Sequence, residues 1–238
     1  MNQLLIISRE KTENNREYAY RLLRYNIMNL QLIPGEILNE NEICQHLNVS
    51  RTPVHEALSL LKAEQLVNIV PQSGSRVSLI SLKNIREGLF LRNTIEPPIY
   101  RQIAGNIPAK YLDAMNTNLK EVKDFLTASP IDEVPVHEIL SLDDRFHQLA
   151  YIAGQKTTLW TAMKTVCSHY DRIRYQGFVA KEENLENIYE EHKKIYEFLL
   201  LGGDPSFDLE SFYNRHLTHF KTYFSKLYNG HPDYFTTD

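Results

Sequence analysis

Asp143 and His147 stand four residues apart in a segment whose apolar residues, Ile139, Leu142, Phe146, Leu149 and Ala150, recur at helical spacing. On a helix that spacing puts a carboxylate and an imidazole on one face, about one turn apart. Such a pair can bind one divalent ion from a single helix. His192, in IYEEHKKIYEFL, and His216, in FYNRHLTHF, lie on later segments with apolar faces of their own: Tyr189, Ile195 and Leu199, then Phe212, Tyr213 and Phe220. One carboxylate and three imidazoles suit zinc, nickel, iron or manganese and leave positions for water or a small ligand. His219, three residues after His216, competes for the inward position, and spacing alone does not bring the helices together. In an enzyme of the hydrolase type the same set would activate a metal-bound water. Against that reading, the chain shows no general-base partner, Gly-rich phosphate loop or nucleophile motif.

The elements that must position these groups are legible as periods and breaks. From residue 82 onward every strong period is helical, and six helices are expected: 82–105, 108–128, 134–153, 156–179, 182–201 and 207–228. Gly105 to Pro108, Ser129-Pro130, Gly154 and Gly202 to Pro205 separate them. Pro97-Pro98 interrupts the first and should kink or break it. Ser81 suits the N-cap of that helix. Residues 1–14 are polar and read as a loose arm, 16–30 as a helix, and His231-Pro232 opens a short tail.

A second constellation lies at 34–77. Pro34-Gly35 is a turn signal. Asn39 can cap a helix with Ile43, Cys44 and Leu47 inward, and Asn48 suits the left-handed conformation at its end. Ser50 is an N-cap candidate for a second helix, and Pro53 sits in its first turn, where a missing N–H costs little. Val54, Leu58 and Leu61 then face the core, and Arg51, Thr52, His55 and Ser59 face outward. Residues 66–70 and 76–79 read as strands joined by 71–75, with Gly74 supplying the turn. Two short helices around a tight turn, followed by a strand hairpin, set one helix into the DNA major groove with the hairpin beside it. The expected fold is therefore mainly α: a winged helix-turn-helix domain over 1–81, an all-α six-helix ligand-binding domain over 82–228, and a tail over 229–238.

Net charge is −4, which argues against a broad basic field. Residues 1–80 carry eight basic and eight acidic side chains, so affinity for phosphate must come from Arg51, Arg76 and helix N-termini. A homodimer on a palindromic double-stranded operator would double those contacts. No apolar run approaches 18 residues, so no membrane span is expected. MNQLLIISRE has neither the basic lead nor the small-residue cleavage site of a secretory signal. Cys44 and Cys167 fall in separate domains, form no CxxC pair, and suit a reducing cytoplasm.

These residues carry a resemblance. The stretch from Tyr18 to Leu79, with P-G-x-x-L at 34–38 and V-S-R-T-P-V-x-E-A-L at 49–58, resembles the winged helix-turn-helix of GntR-type bacterial transcription regulators. The resemblance implies that Ser50, Arg51, Thr52 and the wing glycine Gly74 lie at DNA. That family usually has Arg where this chain has His55, and Gly where it has Asn48 and Gln65. The helical part resembles the FCD ligand domain of the FadR subfamily. Its D-x-x-F-H signature reads here Asp143 to His147, and its later pattern appears as Glu191-His192, Gly203-Asp204 and His216-Leu217. Residue by residue, this matches Asp143, His147, His192 and His216 to the family's metal ligands. Leu91-Arg92 and Glu96 match its early L-R-x-x-x-E pattern. The 192–216 stretch is about two residues longer than usual and Pro97-Pro98 is atypical; six helices rather than seven favour the VanR-like branch. The resemblance implies a metabolite-responsive regulator whose metal is structural or helps hold a small carboxylate effector, with Arg92, Arg172 and Arg174 as candidates for the carboxylate. A helical domain that only dimerises is the remaining alternative.

Overall fold

The computed structural model describes residues 4–70, 74–128 and 136–238. The N-terminal part is built on α1 (Asn15–Met28), α2 (Glu40–Leu47) and α3 (Arg51–Ala63). Asn14 and Glu17 form a reciprocal capping box at α1, and Asn39 accepts from the backbone N–H groups of Asn41 and Glu42 at α2. Asn48 closes α2 with φ at 50°, as an asparagine there can. Ser50 has the extended backbone of an N-cap, but its side chain makes no capping bond, so its hydroxyl is not committed to α3. Ala19, Leu22, Leu23 and Ile27 of α1 pack with Val54, Leu58 and Leu61 of α3 in one core.

The hairpin is β2 (Val67–Val70) with β3 (Gly74–Val77), and β1 (Ile37–Leu38), which periodicity did not reveal, adds to β3 in the order β1-β3-β2. Of the expected connector, 71–73 lies outside the described residues; Gly74 has φ at 84°, a value glycine adopts freely. Residues 4–14 of the expected arm are not loose, and 1–3 lie outside the described residues. Leu4 is buried in the core, and Leu5 exchanges hydrogen bonds with the Asn26 side chain, its N–H donating to Oδ1 and its carbonyl accepting from Nδ2.

Eight helical segments follow among the described residues, on the six expected spans. They are α4 (Leu82–Ile103), α5 (Ala109–Ala128), α6 (Val136–Ala153), α7 (Thr157–Val166), α8 (Ser168–Val179), α9 (Leu185–Leu200), α10 (Leu209–His216) and α11 (Lys221–Gly230). Two spans are interrupted. The 156–179 span breaks at Cys167, where α4 comes so close that a Cβ on Gly88 would lie 3.2 Å from the Cys167 Sγ. The 207–228 span breaks into turns over 217–220. Neither break has a Gly or Pro to announce it. Conversely, the expected break at Pro97-Pro98 does not occur, and the Ser129-Pro130 separator lies outside the described residues. An interior proline costs a helix about 3 kcal/mol. Against that, the continuous α4 buries Arg92 and Glu96 on one side of the prolines and Ile99, Tyr100 and Ile103 on the other.

α8 is buried on every side from Ser168 to Gly177, as a helix wrapped by others must be. It packs against α4, α6 and α11 and also touches α1. The expected tail is also structured. A 3-10 turn at Pro232–Tyr234 leads to β5 (Phe235–Thr236), which pairs parallel with β4 (Ile80–Ser81). The last residues therefore dock on the joint between the two domains, where the Ser81 hydroxyl donates to the Asp238 carbonyl at 2.5 Å. Among the described residues no helix is long and apolar enough to cross a membrane.

Candidate metal centre and DNA-facing surface

The structure brings Asp143 and His147 of α6, His192 of α9 and His216 of α10 together, with one donor atom of each within 4.8 Å of the others. The His147 Nε2 lies 3.3 Å from the Nε2 of both His192 and His216. Asp143 places Oδ1 3.6 Å from His192 Nε2 and Oδ2 3.9 Å from His147 Nε2. Two nitrogens bound at 2.0–2.1 Å with a tetrahedral angle stand roughly 3.3 Å apart, so the donor spacing fits a first-row divalent ion. With Nδ1 of His147 and of His216 each facing a carboxylate, their Nε2 lone pairs turn toward one another, an arrangement that a cation between them relieves. His216 is the inward histidine; His219 is partly exposed and turns to Glu191 at 2.8 Å.

The groups behind the donors fix their orientation. His147 turns Nδ1 to Glu96 at 2.9 Å and Tyr100 Oη at 2.8 Å, and His216 turns Nδ1 to Glu191 at 2.8 Å. A carboxylate behind a ligating imidazole sets which nitrogen carries the proton and strengthens the other as a donor. Glu96 also accepts from Arg92 Nε at 2.8 Å, from Tyr151 Oη at 3.3 Å and from Tyr213 Oη. His192 stacks on Phe146 at 4.3 Å between ring centres. Burial alone would raise Glu96, but Arg92 and His147 outweigh it and hold the carboxyl well below its usual range. Asp143 is held down in the same way, against burial, by Arg174, His147 and His192. Burial pushes His192 well down and His216 down, the latter against the pull of Glu191, so both are neutral and have a free lone pair near pH 7. Tyr100 and Tyr151 were not singled out from sequence, and Tyr213 was read there only as part of an apolar face. Tyr100 had a signal, as Arg92, Glu96 and Tyr100 recur four apart on one helix face.

The three arginine candidates separate. Arg92 and Arg174 line a cavity of about 20 Å³ beside Asp143 and His216. Arg92 is held by Glu96 and Tyr213, and Arg174 by Asp143 at 2.7 Å and Asp171 at 3.2 Å. Arg172 does not face that cavity, which corrects the sequence reading. Its position on α8 points it the other way, to the Ser78 carbonyl at 2.9 Å on the path between the domains. It is fully buried, its Nε and Nη2 have no hydrogen-bond partner among the described residues, and burial pushes its guanidinium down to about 9.

In the N-terminal part Ser50, Arg51, Thr52 and His55 are exposed along the start of α3, and Gly74 and Arg76 are exposed on β3. Arg51 donates from Nε to Asn41 Oδ1 at 2.9 Å, His55 approaches Glu40 at 3.5 Å, and Arg76 donates to the Gly35 carbonyl at 3.3 Å.

A winged helix-turn-helix joined to a helical domain with a buried polar cluster defines a class, the DNA-binding regulators that carry their own sensing domain. Residues 15–77 match the profile described as "Bacterial regulatory proteins, gntR family", and residues 87–205 match the FCD domain. The chain is 32% identical over 167 residues to the HTH-type transcriptional repressor RspR of Escherichia coli (strain K12), covering 70% of this chain and 71% of that protein. It is 31% identical over 193 residues to an HTH-type transcriptional regulator in an unstable DNA locus of Streptomyces ambofaciens, covering 80% and 78%. The fold is similar to that of E. coli McbR/YncC, with a TM-score of 0.61 at 15% identity, over 92% of this chain and 100% of that one. The chain belongs to the GntR family of bacterial regulatory proteins and carries an FCD domain. It is a transcription regulator with a DNA-binding helix-turn-helix and an FCD effector domain, not an enzyme.

Proposed function

We propose that this regulator holds one divalent ion on Asp143, His147, His192 and His216 and responds to a small carboxylate that binds beside it. The observation that carries the reading is the 3.3 Å spacing of the imidazole nitrogens, with two of the imidazoles backed by a carboxylate. The ion, zinc, nickel, iron or manganese, would join three helices and offer a Lewis-acidic position to a carboxylate oxygen. The adjoining cavity has room for about one water, so a carboxylate enters by displacing the side chains that line it. Arg92 and Arg174 are the cations within reach; each would have to exchange part of its present pairing for the effector. Ser50, Arg51, Thr52, His55, Gly74 and Arg76 form the DNA-facing set, on a homodimer that reads a palindromic operator. Repression is the mode we favour, as in the name of the E. coli relative.

The test is elemental analysis with melting temperature for the wild type, His147→Ala and His192→Ala, each with and without chelator. About one ion per chain is expected in the wild type, with little in the variants. Chelator should lower the wild-type melting temperature, because an ion present at about 100 times its dissociation constant adds about 2.7 kcal/mol. A wild type free of metal, whose melting temperature neither zinc nor nickel shifts, would leave the cluster as hydrogen-bonded core histidines and the helical domain as a dimerisation unit. Light scattering at micromolar concentration checks the dimer, which a stable monomer would overturn.

A further inference from the structure

As it stands, the cavity beside the four donors has room for about one water, whereas a ligand-sized space lies between the domains. A cleft of about 850 Å³ opens between α1 and the helical domain, and a hollow of about 470 Å³ adjoins it, sharing Arg24, Trp160, Lys164 and Tyr175 as lining. Small-molecule sites favour domain interfaces and spaces of this size, and this one sets Tyr20, Tyr25, Trp160 and Tyr175 among polar and charged side chains. Tyr25 and Met28 supply the wall on α1, and Trp160 and Tyr175 the wall on α7 and α8. Three cations, Arg21, Arg24 and Lys164, line the cleft against two carboxylates, Glu10 and Glu64, which leaves it with one positive charge in excess. Arg24 donates from Nε to Glu64 at 3.0 Å and shares a hydrogen bond with Tyr20, and its two terminal nitrogens carry the remaining N–H donors. Those two nitrogens are the part of a guanidinium that grips a carboxylate in two parallel bonds. Lys164, paired with Asp144 at 2.8 Å and with Asp171, places a second cation 5.9 Å from the centre of the Trp160 ring.

We propose that this interdomain cleft is a second small-molecule site, and that it takes a flat aromatic carboxylate, with the ring against Trp160 and Tyr175 and the carboxylate on Arg24. The site rests on neither the metal nor the effector beside it. Because one wall belongs to the DNA-binding domain and the other to the helical domain, an occupant fixes how the two sit together. The cleft also connects with the histidine cluster. Lys164 bonds Asp171, Asp171 bonds Arg174, and Arg174 bonds Asp143. An occupant that draws on Lys164 therefore changes the support of Asp143, and coupling of this kind is reciprocal.

Trp160 is the sole tryptophan of the chain, so its emission reports on the cleft directly. The experiment titrates sodium benzoate, up to about 10 mM, into the full-length wild type, Arg24→Gln, Arg24→Lys and His147→Ala. A saturable change in emission is expected for the wild type and is retained in His147→Ala, its midpoint displaced only by the coupling through Asp143. Both Arg24 variants should bind about tenfold more weakly or worse, having lost charged hydrogen bonds. Arg24→Lys keeps a cation facing Glu64 and so decides the matter if Arg24→Gln is poorly folded by circular dichroism. Three results would overturn the proposal: no saturable change in the wild type, as when a partner subunit fills the cleft; unchanged affinity in Arg24→Lys; or loss of binding in His147→Ala alone, which would put benzoate at the histidine cluster.

Discussion

Arg51 is the first residue of α3, directly after the Ser50 N-cap, and its guanidinium reaches back to Asn41 on α2 from an exposed position. An arginine at the start of a recognition helix can read a guanine edge with two parallel bonds, worth about 1–3 kcal/mol of discrimination. Arg51→Ala is expected to lower affinity for an operator selected from random duplexes by about that amount, measured by gel shift at fixed salt. Unchanged affinity would place Arg51 away from the bases. His55 lies one turn further along the same exposed face, and an imidazole lacks the forked donors of a guanidinium. His55→Arg should strengthen binding or alter the preferred sequence in the same selection. Behind the histidine cluster, Glu96→Gln keeps the shape of the side chain but removes the charge facing His147 Nδ1 at 2.9 Å. Metal affinity should fall by roughly 10–100-fold, read by competition with a chelating dye; equal affinity would mean that Glu96 serves only the fold.

At the scale of elements, α3 ends in a conformation that its sequence does not favour. Gln65 follows the α3 C-cap with φ at 61°. A side chain with a Cβ pays about 1–2 kcal/mol for the left-handed region, whereas glycine adds about 0.4–1 kcal/mol of unfolded-state freedom. The first effect is the larger, so Gln65→Gly should raise stability by about 0–1.6 kcal/mol in denaturant unfolding. The backbone bonds of this corner survive the change, since Leu66 N–H donates to Leu61 and the Ser78 hydroxyl to the Gln65 carbonyl. The exposed bond from Asn84 to the Gln65 side chain is lost. A fall in stability would show that this bond outweighs the backbone strain.

For the molecule as a whole, the joint between domains adds a pH-sensitive group to those of the histidine cluster. His169 on α8 is buried and accepts from the Ser81 N–H through Nδ1 at 3.1 Å, with a further hydrogen bond to the Gln65 backbone. Burial, with Arg172 nearby, pushes its imidazole down from 6.5 to about 3. Between those values the unfolded chain takes up a proton that the folded chain refuses. Stability from this residue is therefore complete above pH 6.5 and declines as pH falls toward 3. Melting temperature followed from pH 7 to pH 4 should drop less steeply in His169→Gln than in the wild type. Parallel curves would mean that other groups account for the acid sensitivity.

The winged domain was largely legible because its signals are local. Asn39, Asn48 and Pro53 act within a turn of where they stand, and Val54, Leu58 and Leu61 define a buried face by spacing alone. The pair Asp143 and His147 was legible for the same reason. What needed the tertiary structure was every relation across segments. His216 rather than His219 turns inward because α10 stops at His216 and the following turns carry His219 out to Glu191. Arg172 and Arg174 are two residues apart on one helix yet serve different neighbours, since α8 is enclosed on all sides and successive residues face different elements. Gly105 and Gly202 read as breakers in the sequence; only the folded chain sets their backbones so close that a Cβ on Gly105 would lie 2.8 Å from Gly202. The sequence by itself determined the helical spans, the caps at Asn39 and Ser81 and the residue types available for metal and DNA. The tertiary structure decided which of them meet, because burial energy depends on surfaces contributed by distant segments, and it was that energy that carried α4 through two prolines and drew the last residues onto Ser81.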